Sequence, residues 1–239
     1  MGGELETIDA AEARSALAWW VESGVDIAVQ EQPRDWLHPA SRQAVAPVAN
    51  APAPPNVSEP TADTLAELQQ WLSQSAQLPL ASATARRIMP HGPEHAAIML
   101  LSDAPALEDF TAGQPIGGAA WELARRMLAA IRIPAEEAYS ASLSCFYSPG
   151  ARMSEKDRAE CAEIARRHLR LAQPKRLLIF GDGPCVALLG KRLVEARGHV
   201  HKVEGVRTVA TFHPRHLINR PLDKALAWRD LLLLMEDET

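Results

Sequence analysis

The chain has 239 residues, 47% of them hydrophobic and 23% charged, which suits one domain or a domain with an appendage and excludes wholesale disorder. No apolar run reaches the roughly 18 residues of a membrane span, the acidic start MGGELETIDAAEAR lacks a signal peptide's apolar stretch, and three cysteines (Cys145, Cys161, Cys185) are too few for a secreted disulfide scaffold, so a cytoplasmic protein without membrane association is expected. The net charge of −5 hides an asymmetry: residues 1–150 hold 8 Lys/Arg against 18 Asp/Glu, residues 151–239 hold 17 against 12, and such a basic half either meets an anionic partner or is a solvated helix surface.

Residues 1–24 read as a short amphipathic helix. Asp9 is a candidate N-cap, Ala16, Leu17, Trp20 and Val21 recur at helical spacing, and Gly24 ends it. Trp19 and Trp20 offer this helix a face for a protein partner or for its own domain. Residues 25–60 form a Pro/Ala-rich linker, with seven prolines between 33 and 60. The main domain is expected over 61–239.

Within that domain the pattern predicts a helix over 64–73, with Leu65, Leu68 and Leu72 on one stripe, and a buried strand over 96–101 (AAIMLL). A loop, SDAPALEDFTAGQPIGG, leads to a helix over 119–131. A strand over 138–146 follows, then a basic amphipathic helix over 155–172. The strand 176–180 (RLLIF) ends in GDGP and a helix through Leu189. A fourth strand, 207–212, precedes HPRHLINRP, and 222–235 is the last helix. Alternation of short apolar strands with helices predicts an α/β fold, a three-layer α/β/α sandwich on a mostly parallel sheet of about four strands. In such sheets the site lies at the carboxyl ends of the strands.

Three strand ends carry unusual chemistry. Asp103 follows the first strand, with Ala104 and Pro105 behind it, where a carboxylate can orient water as a general base or serve as a turn residue. GDGP (181–184) lacks the spacing of a phosphate-binding loop and reads as a tight turn packing helix on sheet. His213, at the end of the fourth strand, either donates a hydrogen bond to a developing anion or is structural. The cysteine spacing is no zinc-finger pattern.

The stretch from Ile98 to Met235 resembles the uracil-DNA glycosylase superfamily, closest to its bacterial iron–sulfur type, family 4. SDAPA stands where that family has G-E-A-P-G. SPGAR stands for P-P-G-N-R. QPKRLLIFGDGPCVALLG matches R-P-K-x-I-x-x-L-G-x-x-A-A-x-x-L-L-G. GVRTVATFHPRHLINRP matches G-x-x-V-x-x-T-F-H-P-x-x-L-L-R-x-P, and residues 227–231 match A-W-x-D-L. The resemblance implies removal of uracil or a related base from single- or double-stranded DNA by a monomeric repair enzyme that extrudes the base into a pocket. It implies that His213 bonds the uracil O2 as charge builds there, and that Asp103 positions water or stabilises the sugar cation. It also implies that Ala104, Pro105, Ile116 and Ser142 border the base. Residues 214–218, with Pro214 and Leu217, would enter the minor groove, and Arg215 and His216 would contact phosphates.

Departures from the family are specific. Ser102 and Ala106 replace glycines, and Asp103 replaces Glu. Ile116 replaces the ring that stacks on uracil. The Asn that reads the uracil edge falls at Ala141 or Ser142. Of the four cluster cysteines, the first pair falls around Ser75 and Leu78, and alignment through Pro149 puts Phe146 in a third place. Two thiolates do not complete a four-ligand site, so no metal or other cofactor is expected, with apolar packing instead. Two functions follow: a DNA glycosylase of altered base preference, or a catalytically weak or inactive relative acting as a DNA-binding or interaction module.

Overall fold

The computed structural model describes residues 62–82 and 84–236. The expected N-terminal helix and the linker lie outside the described residues. In chain order the elements are α1 (Leu65–Gln74), β1 (Arg86–Arg87), β2 (Ile98–Ser102), α2 (Leu107–Ala112), α3 (Gly118–Ala130) and β3 (Ala138–Ser142). They continue with β4 (Phe146–Tyr147), α4 (Glu155–Ala172), β5 (Arg176–Phe180), α5 (Asp182–Leu189), α6 (Leu193–Ala196) and β6 (Val200–Val203). The last are β7 (Val206–Thr211), α7 (Pro214–Asn219) and α8 (Lys224–Met235). No described helix is long and apolar enough to cross a membrane.

The central sheet has five strands in the order β3-β2-β5-β7-β6, one more than expected. β2, β3, β5 and β7 run parallel, and β6 pairs antiparallel with β7 at the edge. The extra strand comes from a two-residue hairpin: Glu204 and Gly205 both have positive φ, 49° and 79°, as a turn matching the strands' right-handed twist requires. The expected strand over 138–146 is two elements, β3 and β4. Its second part leaves the sheet after Ser142 to pair with β1, with Arg86 opposite Tyr147 and Arg87 opposite Phe146.

Side-chain alternation builds the three layers. Met99, Leu101, Tyr139, Ala141, Leu177, Ile179 and Ala210 face one core, with Cys161, Ala165 and Leu169 of α4 and Cys185 and Leu188 of α5. Ile98, Leu100, Leu178, Phe180 and Val209 face the other, with α3, Leu217 of α7 and Leu231 of α8. Each fully buried Leu or Ile contributes roughly 1.5–3 kcal/mol, so these strands are committed to the interior. α4 keeps its predicted bounds because both ends are chemically marked. Ser154 accepts from the Asp157 N–H at 3.1 Å and its own N–H donates to the Asp157 carboxylate at 3.1 Å. Gln173 closes the helix in the left-handed region, φ 44°.

From β2 the chain passes to β3 on one side, and β5 and β7 extend the sheet on the other. The connections leaving β2 and β5 therefore diverge, the arrangement in which α/β sheets carry a ligand crevice at the carboxyl ends of their strands. Asp103 and the GDGP turn stand at those ends.

Candidate active site

Asp103 is the first residue beyond β2. Its Oδ1 accepts the Ala104 N–H at 2.9 Å. The residue keeps exposed surface, yet its carboxylate is packed against the backbone of Gly183: a methyl carbon built there would fall 2.4 Å from Oδ2 and 2.5 Å from Cγ. This crowding withholds water and raises the carboxyl above its ordinary pKa; Asp182 adds to the rise, while the Ala104 N–H and Arg158 oppose it. GDGP is therefore more than a turn. Gly181 adopts φ 91°, ψ −179°, a region open to glycine alone, and Gly183 admits the acid.

β5 lies between β2 and β7, so the acid and the histidine stand on the same sheet edge two strands apart, roughly 9–10 Å across the sheet. At the β5 exit, Gly181 has open space where a side chain would stand. His213 caps α7: its Nδ1 accepts the Arg215 N–H at 3.1 Å. A nitrogen that accepts carries no proton, so the neutral ring is protonated at Nε2. The ring packs edge-on against Phe180, centroids 5.8 Å apart. Burial pushes the imidazole pKa down to about 4, and the Arg215 charge pushes the same way against Asp109. At neutral pH, His213 is an uncharged N–H donor.

The other expected site residues fall as follows. Ala104 is exposed and Pro105 buried. Ile116 is fully enclosed in the core with Phe180 and Leu217, so it shows no surface to a ligand. Ser142 stands opposite Ser102 in the β2–β3 register, their hydroxyls 3.2 Å apart. On α7, where DNA entry was expected, Pro214 and Leu217 are buried, and the apolar side chain left outside is Ile218, 40% exposed. The polar ends of Arg215 and His216 are engaged within the fold. Arg215 Nη2 donates to both Asp109 oxygens, at 3.0 and 2.9 Å. His216 stacks on Phe212, centroids 4.8 Å apart, with Nε2 2.7 Å from Asp223.

Asp109 is the residue the sequence analysis missed. It is 2% exposed, accepts the Ala106 and Gly117 N–H groups at 2.7 Å each, and binds Arg215. One carboxylate thus ties the loop after β2 to the loop after β7. Its spacing from Ala106 is a helix-cap signal; its pairing with Arg215, 106 positions away, has no local signature. Asp230 does a similar job from α8, accepting from Thr211 Oγ1 at 2.8 Å, Arg197 at 2.9 Å and the Gly198 N–H at 3.1 Å. It pins the end of β7 two residues before His213.

Residues 89–232 match the uracil DNA glycosylase superfamily, a span that takes in both loops. The chain belongs to that superfamily. It is also 26% identical over 141 residues to the type-4 uracil-DNA glycosylase of Archaeoglobus fulgidus, covering 54% of this chain and 71% of that one. Membership accounts for the α/β architecture.

The iron–sulfur cluster implied by the family-4 resemblance does not fit this superfamily member. Cys145 and Cys161 line one small cavity of about 20 Å³, but their neighbours there are Leu72, Leu78, Ile88 and Ile164. Burial pushes the two thiols up to about 11 and about 12, as expected of cysteines packed among apolar side chains. Among the described residues no group of three or more His, Cys, Asp or Glu is arranged to hold a metal.

Proposed function

We propose that this protein hydrolyses the N-glycosidic bond of uracil, or of a related damaged base, in DNA. The observation that carries the reading is His213: its Nδ1 is occupied by the Arg215 N–H and its ring is held neutral, so a single N–H donor remains at the sheet edge that Asp103 shares. A base swung out of its strand would occupy the crevice over the β5 glycines. As the C1′–N1 bond breaks, electrons move onto the base and the sugar becomes cationic. The Nε2–H of His213 bonds the growing charge at O2, an interaction stronger in the transition state than before it. Asp103, ionised above its raised pKa, faces the cation or orients the water whose oxygen bonds C1′. The departing base takes up the proton that water releases.

The test is excision from a single-stranded oligonucleotide carrying one uracil, followed by alkaline cleavage of the abasic product. His213→Ala is expected to lose about 100- to 1000-fold, the usual cost of one oxyanion donor. Equal, background cutting by both proteins overturns the proposal. The reading of a weak or inactive module is favoured by one feature: enclosed Ile116 and the Ser102–Ser142 contact leave the base edge without a dedicated polar reader.

A further inference from the structure

We propose that Phe110 and Tyr147 form a platform on which a nucleobase of single-stranded DNA stacks beside the crevice, with Arg86 taking the adjoining phosphate. The two rings are stacked, centroids 5.6 Å apart and 12° from parallel. Phe110 is 39% exposed, and Leu107, three residues earlier on the same face of α2, is 59% exposed. α2 continues the loop leaving the carboxyl end of β2, and β4 follows the carboxyl end of β3. The platform therefore belongs to the same edge of the sheet as Asp103.

The small β1–β4 ladder sorts its two residue pairs by face. Arg87 and Phe146 go inward, the guanidinium 4.7 Å from the ring centroid and donating to the Leu72 and Ser75 carbonyls. Arg86 and Tyr147, directly opposed in the register, go outward, since opposed residues share a face. Arg86 is exposed, and its side chain makes no hydrogen bond or ion pair within the described residues. A flat aromatic surface with a free guanidinium alongside is the chemistry of single-strand binding: the ring takes any base, the cation takes the backbone. A protein partner would use the apolar face but not require a cation beside it. The proposal rests on reading the chain as a protein that acts on DNA, and it concerns a nucleotide flanking the target.

The full chain is titrated by fluorescence anisotropy with a labelled oligothymidylate free of uracil, and with an abasic oligomer of equal length. Wild type is expected to favour the base-bearing strand. Phe110→Ala and Tyr147→Ala each lose on the order of 10-fold or more of that preference and bind the abasic strand unchanged, while Phe110→Tyr retains it. Arg86→Ala weakens both strands alike and lowers the slope of log affinity against log salt by about one. Wild type that does not distinguish the two strands, variants that keep the preference, or a change only in self-association each overturn the platform. Uracil excision is measured on the same proteins. Excision lost in His213→Ala with the thymidylate preference intact in Phe110→Ala refutes the platform alone. Preference lost in the ring variants, with no excision by any protein, refutes the glycosylase reading alone.

Discussion

Gly183 is the sharpest place to perturb the site, because the backbone there leaves no room for a side chain beside Asp103. A methyl at 183 falls 2.4 Å from Asp103 Oδ2, and ordinary contact begins near 3.4 Å. In Gly183→Ala the carboxylate must therefore withdraw by about 1 Å. An acid side chain can swing that far without disturbing the sheet, and alanine is the better helix former by up to about 1 kcal/mol. The fold is expected to hold or gain slightly, with a melting temperature unchanged or a few degrees higher. A group misplaced by 1 Å costs about 100-fold in a tuned site, so excision from the uracil oligonucleotide is expected to fall by that factor. Adding Asp103→Ala separates this cause from others: with no carboxylate to displace, Gly183→Ala should then have no further effect. Wild-type excision by Gly183→Ala would refute the reasoning, because it would mean that the acid's position against α5 is irrelevant to the chemistry.

Other outcomes follow from the buried groups. His168 and His213 both have folded pKa values of about 4, below the unfolded value of about 6.5. The unfolded chain therefore binds more protons between those limits; stability is full above about pH 6.5 and declines as pH falls toward 4, by on the order of 3 kcal/mol for each imidazole. Urea midpoints followed across that range check this, and a flat profile contradicts it. Asp109→Ala leaves two buried backbone donors unpartnered and Arg215, partly exposed, with only Glu108 at 3.8 Å from its Nε, at a cost of about 2–5 kcal/mol, or a melting temperature lower by on the order of 10 °C; a loss under about 2 °C contradicts the tie between the loops. Protein purified from iron-replete cells is expected to carry no stoichiometric iron and to keep its melting temperature in chelator. A stoichiometric cluster seen by metal analysis and near-visible absorbance contradicts the apolar corner.

Residues with local signatures were legible. RLLIF between Pro174 and Gly181 could only be a buried strand, and α4 announced both of its ends. Asp103 and His213 were legible for a similar reason, since each follows an apolar strand directly. β6 escaped because VHKV is an edge strand in which only Val203 is buried, so its hydrophobic alternation is faint; the Glu204-Gly205 turn was the better signal. α2 escaped because it is six residues long with prolines close on both sides. The Asp109–Arg215 tie was not legible at all. It exists only because the sheet brings together two loops far apart in sequence, and the arginine expected to reach a phosphate is turned onto a carboxylate instead.

That tie also biases the charge state of His213, which burial sets first. The imidazole is kept neutral by burial and by the Arg215 charge, with Asp109 pulling the other way. Arg215→Met would remove the cation and keep much of its aliphatic packing, leaving His213 near a buried carboxylate with no compensating charge. The His213 pKa should then climb above about 4, with burial still holding it down, as a proton NMR titration of its ring signals would read. The part of the acid sensitivity that His213 supplies should shrink with it, because the folded and unfolded affinities for the proton converge. Activity at pH 5–6 should change more than activity at pH 8, since only in the lower range would the variant carry an imidazolium facing a developing sugar cation. An unchanged His213 titration in the folded variant would show that burial alone sets its charge and that Arg215 acts only as a strut between the loops.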